Sequence, residues 1–493
     1  AWDVPTIDTL ATSQPVRAGV PAVADSGIRL GAAELEGFVA GLAGGLRVAG
    51  VRRRDSVCWQ LANGVEAYLL YRACWRLGAV AVPVHHQIGA TEAAKLAERV
   101  EPVVMLSRPG LSLADHPGVR TAQIGHPDWD ALCAGPPVTV GAARPADLAV
   151  VLFTSGSTGE PKAVLHTHRA LVHKALTMVG VHGLHAGDAV LMPAPLAHIS
   201  GLLNGIVTPA AARMPTVLME RWDPEKGLQL VERERISFMI GPPTLFVSMT
   251  DHPAFAPGRV ASMRIISSGA MSITPEFVDG ARAAYGATVK RTYGSTEAPT
   301  VTTTWASDPP ERGRDTDGRA VGEVELRTAD PRSGRACPAG TTGELWLRGP
   351  ELFAGYADVD QTRSAMRNGW FRTGDLAVMD TGGWVTIVGR LKELIIRAGE
   401  NIAPAEVERT LGRHPRVSQA VAIGYPDARY GERVAAFVVA DGSFDVDECR
   451  RWFASQGVAR FKTPERVVVV EAIPQISLGK PDRAALRAQL AAG

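Results

Sequence analysis

Cysteine is scarce in this sequence: there are five among 493 residues, and no two of them form a CxxC pair. The five are Cys58, Cys74, Cys133, Cys337 and Cys449. Scattered cysteines in odd number indicate neither a disulfide framework nor a zinc site. We therefore expect a reducing, cytoplasmic setting.

The chain also lacks an excess of charge of either sign, because 52 lysines and arginines balance 51 aspartates and glutamates. This balance argues against a broad surface for nucleic acid or anionic membrane, and we expect neither as a partner. No apolar run reaches the roughly 20 residues that cross a bilayer. The longest, residues 31–50, contains charged residues and glycines and predicts an amphipathic helix. The N-terminal AWDVPTIDTL has no basic stretch before an apolar core, so we expect no secretory signal.

A chain of 493 residues is too long for one ordinary core, so we expect at least two domains. Helical patterns alternate with short apolar strands to about residue 305, which predicts α/β layers with mainly parallel sheet. From Val321 onward the strand patterns have a period of two, as in GELWLRG. A smaller α+β unit follows. We place the boundary at residues 389–392, which divides the chain into domains 1–390 and 391–493.

A loop rich in glycine and hydroxyl side chains, TSGSTGEPK, extends from Thr154 to Lys162. An apolar strand precedes it, and we expect a helix around His168. Glycines let backbone N–H groups approach a polyphosphate, hydroxyls add donors and the lysine neutralises charge. The Walker pattern does not fit, since its second glycine would fall on Pro161 and no Ser or Thr follows Lys162, which disfavours a motor or a GTPase. A plain surface turn is the alternative.

Five further motifs follow this loop in the sequence: PLAHISG, YGSTEAP, GWFRTGD, GRLKELIIRAGENIAPAEVE and ISLGKPDR. Together the six motifs resemble those of the adenylate-forming, or AMP-binding, superfamily, which includes acyl- and aryl-CoA ligases, peptide-synthetase adenylation domains and luciferases. The resemblance implies an α/β fold. Its large N-terminal domain would contain two α/β layered sheets plus a distorted β-barrel, and its small C-terminal domain would be a mobile α+β unit. It also implies a monomer or a homodimer.

The same resemblance implies an enzyme with two half-reactions. A carboxylate is a poor electrophile at neutral pH, so it first attacks the α-phosphate of ATP and expels pyrophosphate. The resulting acyl-adenylate then passes its acyl group to a second nucleophile. Catalysis of the first step is mostly positioning and neutralisation of negative charge. The implied cofactors are ATP, which is also a substrate, Mg²⁺ and coenzyme A.

By this resemblance, the phosphates of ATP contact the glycine-rich loop. Its contributing residues are Thr154, Ser155, Gly156, Ser157, Thr158, Gly159 and Lys162, of which Thr154 is also assigned a catalytic role. In GWFRTGD, Asp375 should accept hydrogen bonds from both ribose hydroxyls. Arg390 should reach the same ribose or a phosphate. The alternative for Asp375 and Arg390 is a salt bridge at the strand ends, which is also compatible with function.

The motif YGSTEAP should contribute to both the adenine and the metal site. Tyr293 should stack on or line the adenine slot, with Gly294 and Ser295 beside it. Thr296 should touch a phosphate. Glu297 should hold Mg²⁺, because this hard cation prefers oxygen ligands. It is also assigned a catalytic role. A carboxylate on a surface turn is the alternative for Glu297.

Three residues near the C-terminus are implied to act through domain motion. Lys480, the catalytic lysine, should enter the adenylation site on the small domain and bridge the carboxylate of the acid and the α-phosphate. Lys392 corresponds to the hinge about which the small domain rotates after adenylation. Gly399 should then line the path of the thiol, because it has no side chain. A solvated lysine is the alternative for both Lys480 and Lys392.

The motif PLAHISG indicates the kind of acid. Relatives that activate amino acids have an aspartate at the position of His198, so histidine there predicts a substrate without an α-amino group. His198 should lie at the carboxylate and gate the thiol channel, with a structural histidine as the alternative. The pocket should be lined by His198, Ser200, Asn204, Gly269, Ala270, Thr292, Gly294 and Pro299. Because seven of these are uncharged, we expect an apolar aryl, cycloaliphatic or medium-chain acid. Thr292, where many relatives have glycine, should narrow the slot.

The acceptor of the acyl group is predicted to be coenzyme A. The alternative is an amide-forming synthetase, in which an amine attacks the adenylate, or a stand-alone enzyme that loads a carrier protein. A non-catalytic nucleotide sensor is disfavoured because Glu297, Asp375, Arg390 and Lys480 are all present.

Overall fold

The structure, a computed structural model, describes residues 4–13, 16–17, 19–111, 119–154, 161–271, 273–398, 400–475 and 481–492. Within these ranges, no helix is both long enough and apolar enough to span a membrane.

The helices of the described residues range from a single turn to 17 residues. In chain order they are α1 (Ile7–Ser13), α2 (Ala32–Val48), α3 (Val65–Leu77), α4 (Ala90–Glu98), α5 (Pro127–Cys133), α6 (His168–His182), α7 (Ile199–Leu202), α8 (Thr208–Ala212), α9 (Pro224–Glu234), α10 (Pro243–Thr250), α11 (Pro275–Tyr285), α12 (Pro310–Asp315), α13 (Val359–Ala365), α14 (Pro404–Gly412), α15 (Val446–Ser455) and α16 (Arg483–Ala492).

The strands of the described residues are mostly short. In chain order they are β1 (Val23–Ala24), β2 (Arg29–Leu30), β3 (Ser56–Leu61), β4 (Val80–His85), β5 (Val104–Ser107), β6 (Arg120–Gln123), β7 (Leu148–Thr154), β8 (Lys162–Thr167), β9 (Val190–Met192), β10 (Thr216–Leu218), β11 (Phe238–Gly241), β12 (Ile265–Ser268), β13 (Thr288–Arg291), β14 (Thr302–Thr303), β15 (Arg319–Ala320), β16 (Glu325–Ala329), β17 (Gly343–Arg348), β18 (Gly355–Tyr356), β19 (Met366–Arg367), β20 (Trp370–Met379), β21 (Val385–Arg390), β22 (Ile395–Arg397), β23 (Glu400–Ile402), β24 (Val417–Asp427), β25 (Gly431–Ala440) and β26 (Arg466–Val469).

The first sheet has the strand order β18-β8-β7-β4-β3-β5-β6. Neighbours from β7 to β6 are parallel, and β8 and β18 add antiparallel strands at one edge. Helix α3 leads into β4 through Gly78, whose positive φ of 68° ends the helix in the left-handed conformation that glycine adopts without strain. The strand that follows, β4, is buried along its whole length.

The second sheet has the order β13-β12-β11-β9-β10-β1-β2, and only β2 is antiparallel to its neighbour. Its strands alternate with helices along the chain, as the sequence pattern predicts. One large core cluster contains residues of both sheets, for example Trp59 of β3 and Val190 of β9, each at most 1% exposed. The two sheets therefore share one hydrophobic core.

A third sheet of half-barrel type has the order β16-β17-β20-β19, with β21 paired to β20. Its pairs are antiparallel, and register shifts in β17 and β20 distort it. Leu345 and Leu347 face a core cluster. Trp346 points to the other face but is only 1% exposed, because the guanidinium of Arg327 lies 4.6 Å from its ring centroid. The predicted fold class, two layered sheets with a distorted barrel, is confirmed.

The C-terminal sheet has the order β23-β22-β25-β24, with β26 paired to β25. Pro404 lies in the first turn of α14, where the N–H of any residue would be unpaired within the helix. Val407, Val438 and Phe453 belong to a core cluster formed by this part of the chain.

Asn63, just beyond β3, joins the first sheet to the second. Its Nδ2 donates to the carbonyl of Ala194 at 2.8 Å, and the carbonyls of Met219 and Met192 lie at 3.2 Å and 3.3 Å. Its Oδ1 accepts a hydrogen bond from the backbone N–H of Leu196 at 2.8 Å. The side chain is only 6% exposed. Its amide therefore supplies the hydrogen bonds that water would otherwise make to the backbone groups at the ends of β9 and β10.

We predict that Asn63→Asp lowers the free energy of unfolding by about 2–4 kcal/mol, because a carboxylate would face three carbonyl oxygens that it cannot satisfy. Chemical denaturation measures the loss. The deficit should shrink as the pH is lowered from neutrality, because a protonated carboxyl regains one donor. The same change at the exposed Asn368 is the control and should cost at most about 0.5 kcal/mol. Equal unfolding free energies for Asn63→Asp and the unmodified chain would contradict this account.

Candidate active site

Segments from three sheets meet near the carboxyl ends of the parallel strands. In the first sheet β7 ends at Thr154, and in the second sheet β13 ends at Arg291. The segment 293–300 follows β13 and is hydrogen-bonded to residues of the first and third sheets, as described below. Open parallel sheets bind ligands at this edge, where the connecting loops project side chains. Several of the predicted motifs therefore surround one region.

The glycine-rich loop joins two antiparallel strands. Thr154, the last residue of β7, is paired with Lys162, the first residue of β8. The predicted helix around His168 is confirmed as α6, but β8 lies between it and the loop, so a helix N-terminus does not contribute to the loop. Pairing of its two ends makes the loop a hairpin connection. Its remaining predicted ligands, Ser155, Gly156, Ser157, Thr158 and Gly159, lie outside the described residues.

Glu297 is held by the segment that ends in β18. The hydroxyl of Tyr356 donates a 2.6 Å hydrogen bond to Oε1 of Glu297, and the backbone N–H of Phe353 donates to the Glu297 carbonyl at 2.8 Å. The ammonium of Lys162 lies 4.5 Å from the centroid of the Tyr356 ring. The predicted metal ligand and the predicted phosphate-binding lysine thus contact the same side chain. Tyr356 was not predicted, since a tyrosine in a two-residue strand carries no local signal.

Thr296 is fixed from the other side by the first sheet. The ring of His166 in β8 lies 2.7 Å, through Nε2, from the carbonyl of Thr296. Burial lowers the pKa of His166 to about 4, so the ring is neutral at physiological pH. A carbonyl can only accept, so Nε2 carries the proton and donates it. Neighbouring Ser295 closes a tight turn, because its backbone N–H donates to the carbonyl of Ala298 at 3.0 Å.

Tyr293, Asp375 and Arg390 form one polar group. The hydroxyl of Tyr293 donates to Oδ2 of Asp375 at 2.6 Å, and Nε of Arg390 lies 2.9 Å from Oδ1. Asp375 and Arg390 are directly opposite each other in the β20–β21 pair. Burial raises the pKa of the Asp375 carboxyl, against the opposing effects of Arg390 and Tyr293. The salt bridge anticipated from the sequence is present, and it shares the carboxylate with a tyrosine.

His198 lies between the first and second sheets. Its ring centroid is 5.1 Å from that of His85 at the end of β4, and His85 in turn stacks on His86 at 4.6 Å. Burial lowers the pKa of His85 to about 4, with a smaller contribution from His86. The backbone N–H of Gln87 donates to Nδ1 of His85, so the proton of the neutral ring is on Nε2. His198 is therefore adjacent to uncharged imidazole at neutral pH.

Two of the predicted acid-pocket residues meet at neighbouring strand ends. Gly269 and Thr292 follow β12 and β13, which are paired. A Cβ atom on Gly269 would lie 2.6 Å from the carbonyl oxygen of Thr292 and 2.8 Å from its Cγ2, so only glycine fits there. The Oγ1 of Thr292 donates instead to the carbonyl of Thr302 at 3.3 Å. The methyl group of Thr292 therefore packs over Gly269.

The other predicted pocket residues differ in burial and in their hydrogen bonds. Nδ2 of Asn204 donates to the carbonyl of Ser200 at 3.0 Å. Asn204 is buried in the π-helical turn Leu203–Val207, and its Oδ1 has no hydrogen-bond partner among the described residues. Such turns are frequent at functional sites. Ala270 is exposed, Gly294 is exposed and Pro299 is buried. Within the described ranges, no hydrogen bond joins Ser200 or Asn204 to Gly269 or Thr292.

A buried ion pair supports the end of the segment 293–300. The ammonium of Lys174 lies 2.9 Å from Oε1 of Glu351, both side chains are fully buried, and Lys174 also donates to the carbonyl of Thr300 at 3.0 Å. Thr300 has a positive φ of 42°, which is rare for a β-branched residue. Burial lowers the pKa of Lys174 while Glu351 opposes this effect. The pair was not predicted. The available signal was that Lys174 lies three residues after Leu171, on the same buried face of α6.

The predicted hinge residue connects two sheets. Lys392 lies in a short 3₁₀ turn, Leu391–Glu393, between β21 of the third sheet and β22 of the C-terminal sheet. Near it, the guanidinium of Arg409 in α14 donates to the carbonyl of Ile387 in β21 at 3.4 Å. The two other residues predicted to act through domain motion, Gly399 and Lys480, lie outside the described residues.

Comparison with known proteins identifies the family. A family model described as AMP-binding enzyme matches residues 11–357, and one described as AMP-binding enzyme C-terminal domain matches residues 406–480. Medium-chain fatty-acid–CoA ligase of Escherichia coli (strain K12) is 30% identical over 90% of this chain and 83% of its own. Feruloyl-CoA synthase of an Amycolatopsis species is 34% identical over 93% of this chain and 94% of its own.

Solved structures of similar proteins share the whole fold. ATP-bound MatB from Rhodopseudomonas palustris superposes with a TM-score of 0.91 and 28% identity, covering 98% of both chains. The amide bond synthetase McbA from Marinactinospora thermotolerans superposes with a TM-score of 0.85 and 27% identity, covering 98% of this chain and 99% of its own. The resemblance stated from the six motifs is confirmed: the chain belongs to the AMP-binding enzyme family, among relatives named as CoA ligases and synthetases.

Proposed function

We propose that this protein is an ATP-dependent acid–thiol ligase. It activates an apolar carboxylic acid as its acyl-adenylate, releases pyrophosphate, and then transfers the acyl group to coenzyme A. The observation that carries this proposal is that Asp375 and Lys162, from distant stretches of the sequence, lie close to the segment 293–300, which contains Glu297. Asp375 bonds to Tyr293, and Lys162 contacts Tyr356, which bonds to Glu297. Membership in the AMP-binding enzyme family supports it, as do relatives named for medium-chain and feruloyl substrates.

In the first half-reaction, the side chains of the site position ATP. The carboxylate of Asp375 receives the ribose hydroxyls, using lone pairs not engaged by Tyr293 and Arg390. The hairpin loop that begins at Thr154 surrounds the phosphates. Lys162 and, from the small domain, Lys480 neutralise charge as the carboxylate of the acid attacks the α-phosphate. Catalysis is then electrostatic preorganisation, with the polar groups fixed before ATP arrives.

The residues present fit a magnesium ion. Oε1 of Glu297 accepts from Tyr356, and within the described residues its other oxygen has no protein donor. No group of three or more His, Cys, Asp or Glu side chains in the described ranges is arranged to hold a metal ion. Mg²⁺ often binds in this way, through one or two carboxylates plus substrate phosphates and water. When bound, the ion would neutralise charge on the phosphates.

For the second half-reaction, we propose that the domain 391–493 rotates about Lys392 relative to residues 1–390. Rotation withdraws Lys480 and brings the loop containing Gly399 towards the adenylate. His198, between the two large sheets, lies at the acyl carboxylate and gates the thiol channel. The location of Lys392 in a short turn between two sheets supports this motion.

We propose a compact apolar acid as substrate, of aryl, cycloaliphatic or medium-chain type. Packing of the Thr292 methyl group over Gly269 supports a narrow slot. Of the predicted lining residues only His198 is titratable, and burial leaves its neighbour His85 neutral, so no fixed charge would attract a polar acid. Efficient turnover of a long, flexible chain such as palmitate would contradict this substrate class.

An amide-forming synthetase is the second candidate. The observation that favours it is the structural similarity to the amide bond synthetase McbA, at a TM-score of 0.85. In that case an amine, not a thiol, would attack the same adenylate. The adenylation residues would be unchanged, so only the acceptor distinguishes the two candidates.

We predict acid-dependent exchange of pyrophosphate into ATP, followed by an acyl-CoA product when coenzyme A is supplied. Mass spectrometry of reactions with coenzyme A and with a panel of amines identifies the acceptor, and a panel of acids that includes palmitate identifies the substrate class. An amide product without acyl-CoA would contradict the acid–thiol ligase and support the amide-forming synthetase. Absence of pyrophosphate exchange with every acid would contradict both.

We also predict that Lys392→Pro spares adenylation but slows thioester formation by at least about tenfold, because proline stiffens the backbone at the proposed hinge. Pyrophosphate exchange and acyl-CoA release measure the two half-reactions separately. Lys392→Ala is the control, since it removes the side chain but leaves the backbone free to rotate. Equal loss of both half-reactions in the proline variant would rule out a hinge at this position.

A further inference from the structure

Tyr356 makes two contacts that no sequence motif predicted. Its hydroxyl donates to Glu297 at 2.6 Å, and its ring face carries the ammonium of Lys162 at 4.5 Å from the centroid. The tyrosine is 5% exposed, and Lys162 and Glu297 are both partly buried. Removal from bulk water strengthens such polar and cation–π interactions. One side chain therefore joins a cation at the end of the hairpin loop to a carboxylate in the segment 293–300.

Strand pairing determines this position. Tyr356 is opposite Val164 in the antiparallel pair of β18 and β8, and Lys162 is two residues from Val164 along β8. Residues in this diagonal relation lie on the same face of a sheet, within reach of aromatic and long side chains. The hydroxyl of Thr362 accepts from the backbone N–H of Tyr356 at 2.8 Å and fixes β18 further. The contact with Lys162 thus follows from the register of the first sheet.

The hydrogen bond to Glu297 has a fixed direction. A carboxylate oxygen accepts hydrogen bonds, so the phenol O–H of Tyr356 is the donor. The bond engages Oε1 and orients the carboxylate. Within the described residues, Tyr356 contacts both Lys162 and Glu297, and no ion pair joins these two side chains. Each charge therefore stays available to a ligand.

We propose that Tyr356 is a positioning residue, which holds Lys162 for the phosphates of ATP and Glu297 for the accompanying Mg²⁺ at a fixed separation. This inference rests on the proposed function, because it assigns a role within the same nucleotide site. It predicts that the two contacts serve different ligands. The hydroxyl supports the effect of Mg²⁺ on ATP affinity, whereas the ring supports ATP affinity itself.

An ordinary core tyrosine is the competing explanation, since Tyr356 also packs edge-on against Phe353 at 4.9 Å between ring centroids. Tyr285 provides a matched control. It is 4% exposed, belongs to a different core cluster, and its hydroxyl donates to the carbonyl of Phe246 at 2.8 Å. Removing either hydroxyl deletes one hydrogen bond of a buried tyrosine, but only Tyr356 contacts the proposed nucleotide site.

Isothermal titration calorimetry of ATP with the full chain, in saturating Mg²⁺ and in EDTA, tests the proposal without acid or coenzyme A. The quantity compared is the ATP affinity in Mg²⁺ divided by the ATP affinity in EDTA. Tyr356→Phe should reduce this ratio at least about fivefold and leave the affinity in EDTA within about twofold of that of the unmodified chain. Tyr356→Leu should also lower the affinity in EDTA at least about fivefold, because Lys162 loses its support. Tyr285→Phe should change neither quantity by more than about twofold.

An unchanged ratio in Tyr356→Phe, or an equal reduction in Tyr285→Phe, would overturn the role of Tyr356 and leave the proposed function intact. So would an unmodified chain that binds ATP equally well with and without Mg²⁺. An unmodified chain that binds no ATP under either condition would instead contradict the proposed function. Should Tyr356→Leu fail to fold, the comparison of Tyr356→Phe with Tyr285→Phe still tests whether Tyr356 is a positioning residue.

Discussion

The segment 293–300 is fixed by buried polar contacts from several elements, and the candidate site depends on this constraint. Carbonyl groups of Thr296 and Thr300 accept hydrogen bonds from buried side chains of the first sheet and of α6. The side chains of Tyr293 and Glu297 bond to the third sheet and to β18. Breaking any one of these contacts would leave a buried polar group unpaired, at a cost of about 1–3 kcal/mol. The segment therefore keeps one conformation, in which groups for ribose, metal and phosphate lie together.

The two carboxylates of the site are oriented in different ways, because among the described residues Asp375 pairs with a cation and Glu297 does not. The carboxylate of Asp375 is shared between a guanidinium and a phenol, and that of Glu297 is bonded to a phenol alone. Neutral donors orient a carboxylate without cancelling its charge, so the charge remains for a ligand. Nearby imidazoles are kept neutral by burial, which lowers the pKa of His85 and His166 to about 4. A site built in this way is polarised before its substrate arrives.

Much of this organisation could be predicted from the sequence, because motifs and periodicity are local. The alternation of helical patterns and apolar strands predicted the α/β layers, and the period-two pattern from Val321 predicted the third sheet. The strand β8 was missed, since six residues between a loop and a helix give too short a pattern. The resemblance implied that distant motifs surround one nucleotide, but most of the direct contacts between their side chains could not be predicted. Asn63 and Tyr356 act through partners more than 50 residues away in the sequence, and no local pattern records such a pairing.

The central claim is that these distant segments surround one nucleotide. A crystal structure with Mg²⁺ and a hydrolysis-resistant ATP analogue tests it most directly. The account predicts ribose hydroxyls on the carboxylate of Asp375, phosphates against the hairpin connection between Thr154 and Lys162, and the metal ion on Glu297. Nucleotide density away from this hairpin, or a ribose out of reach of Asp375, would contradict the account.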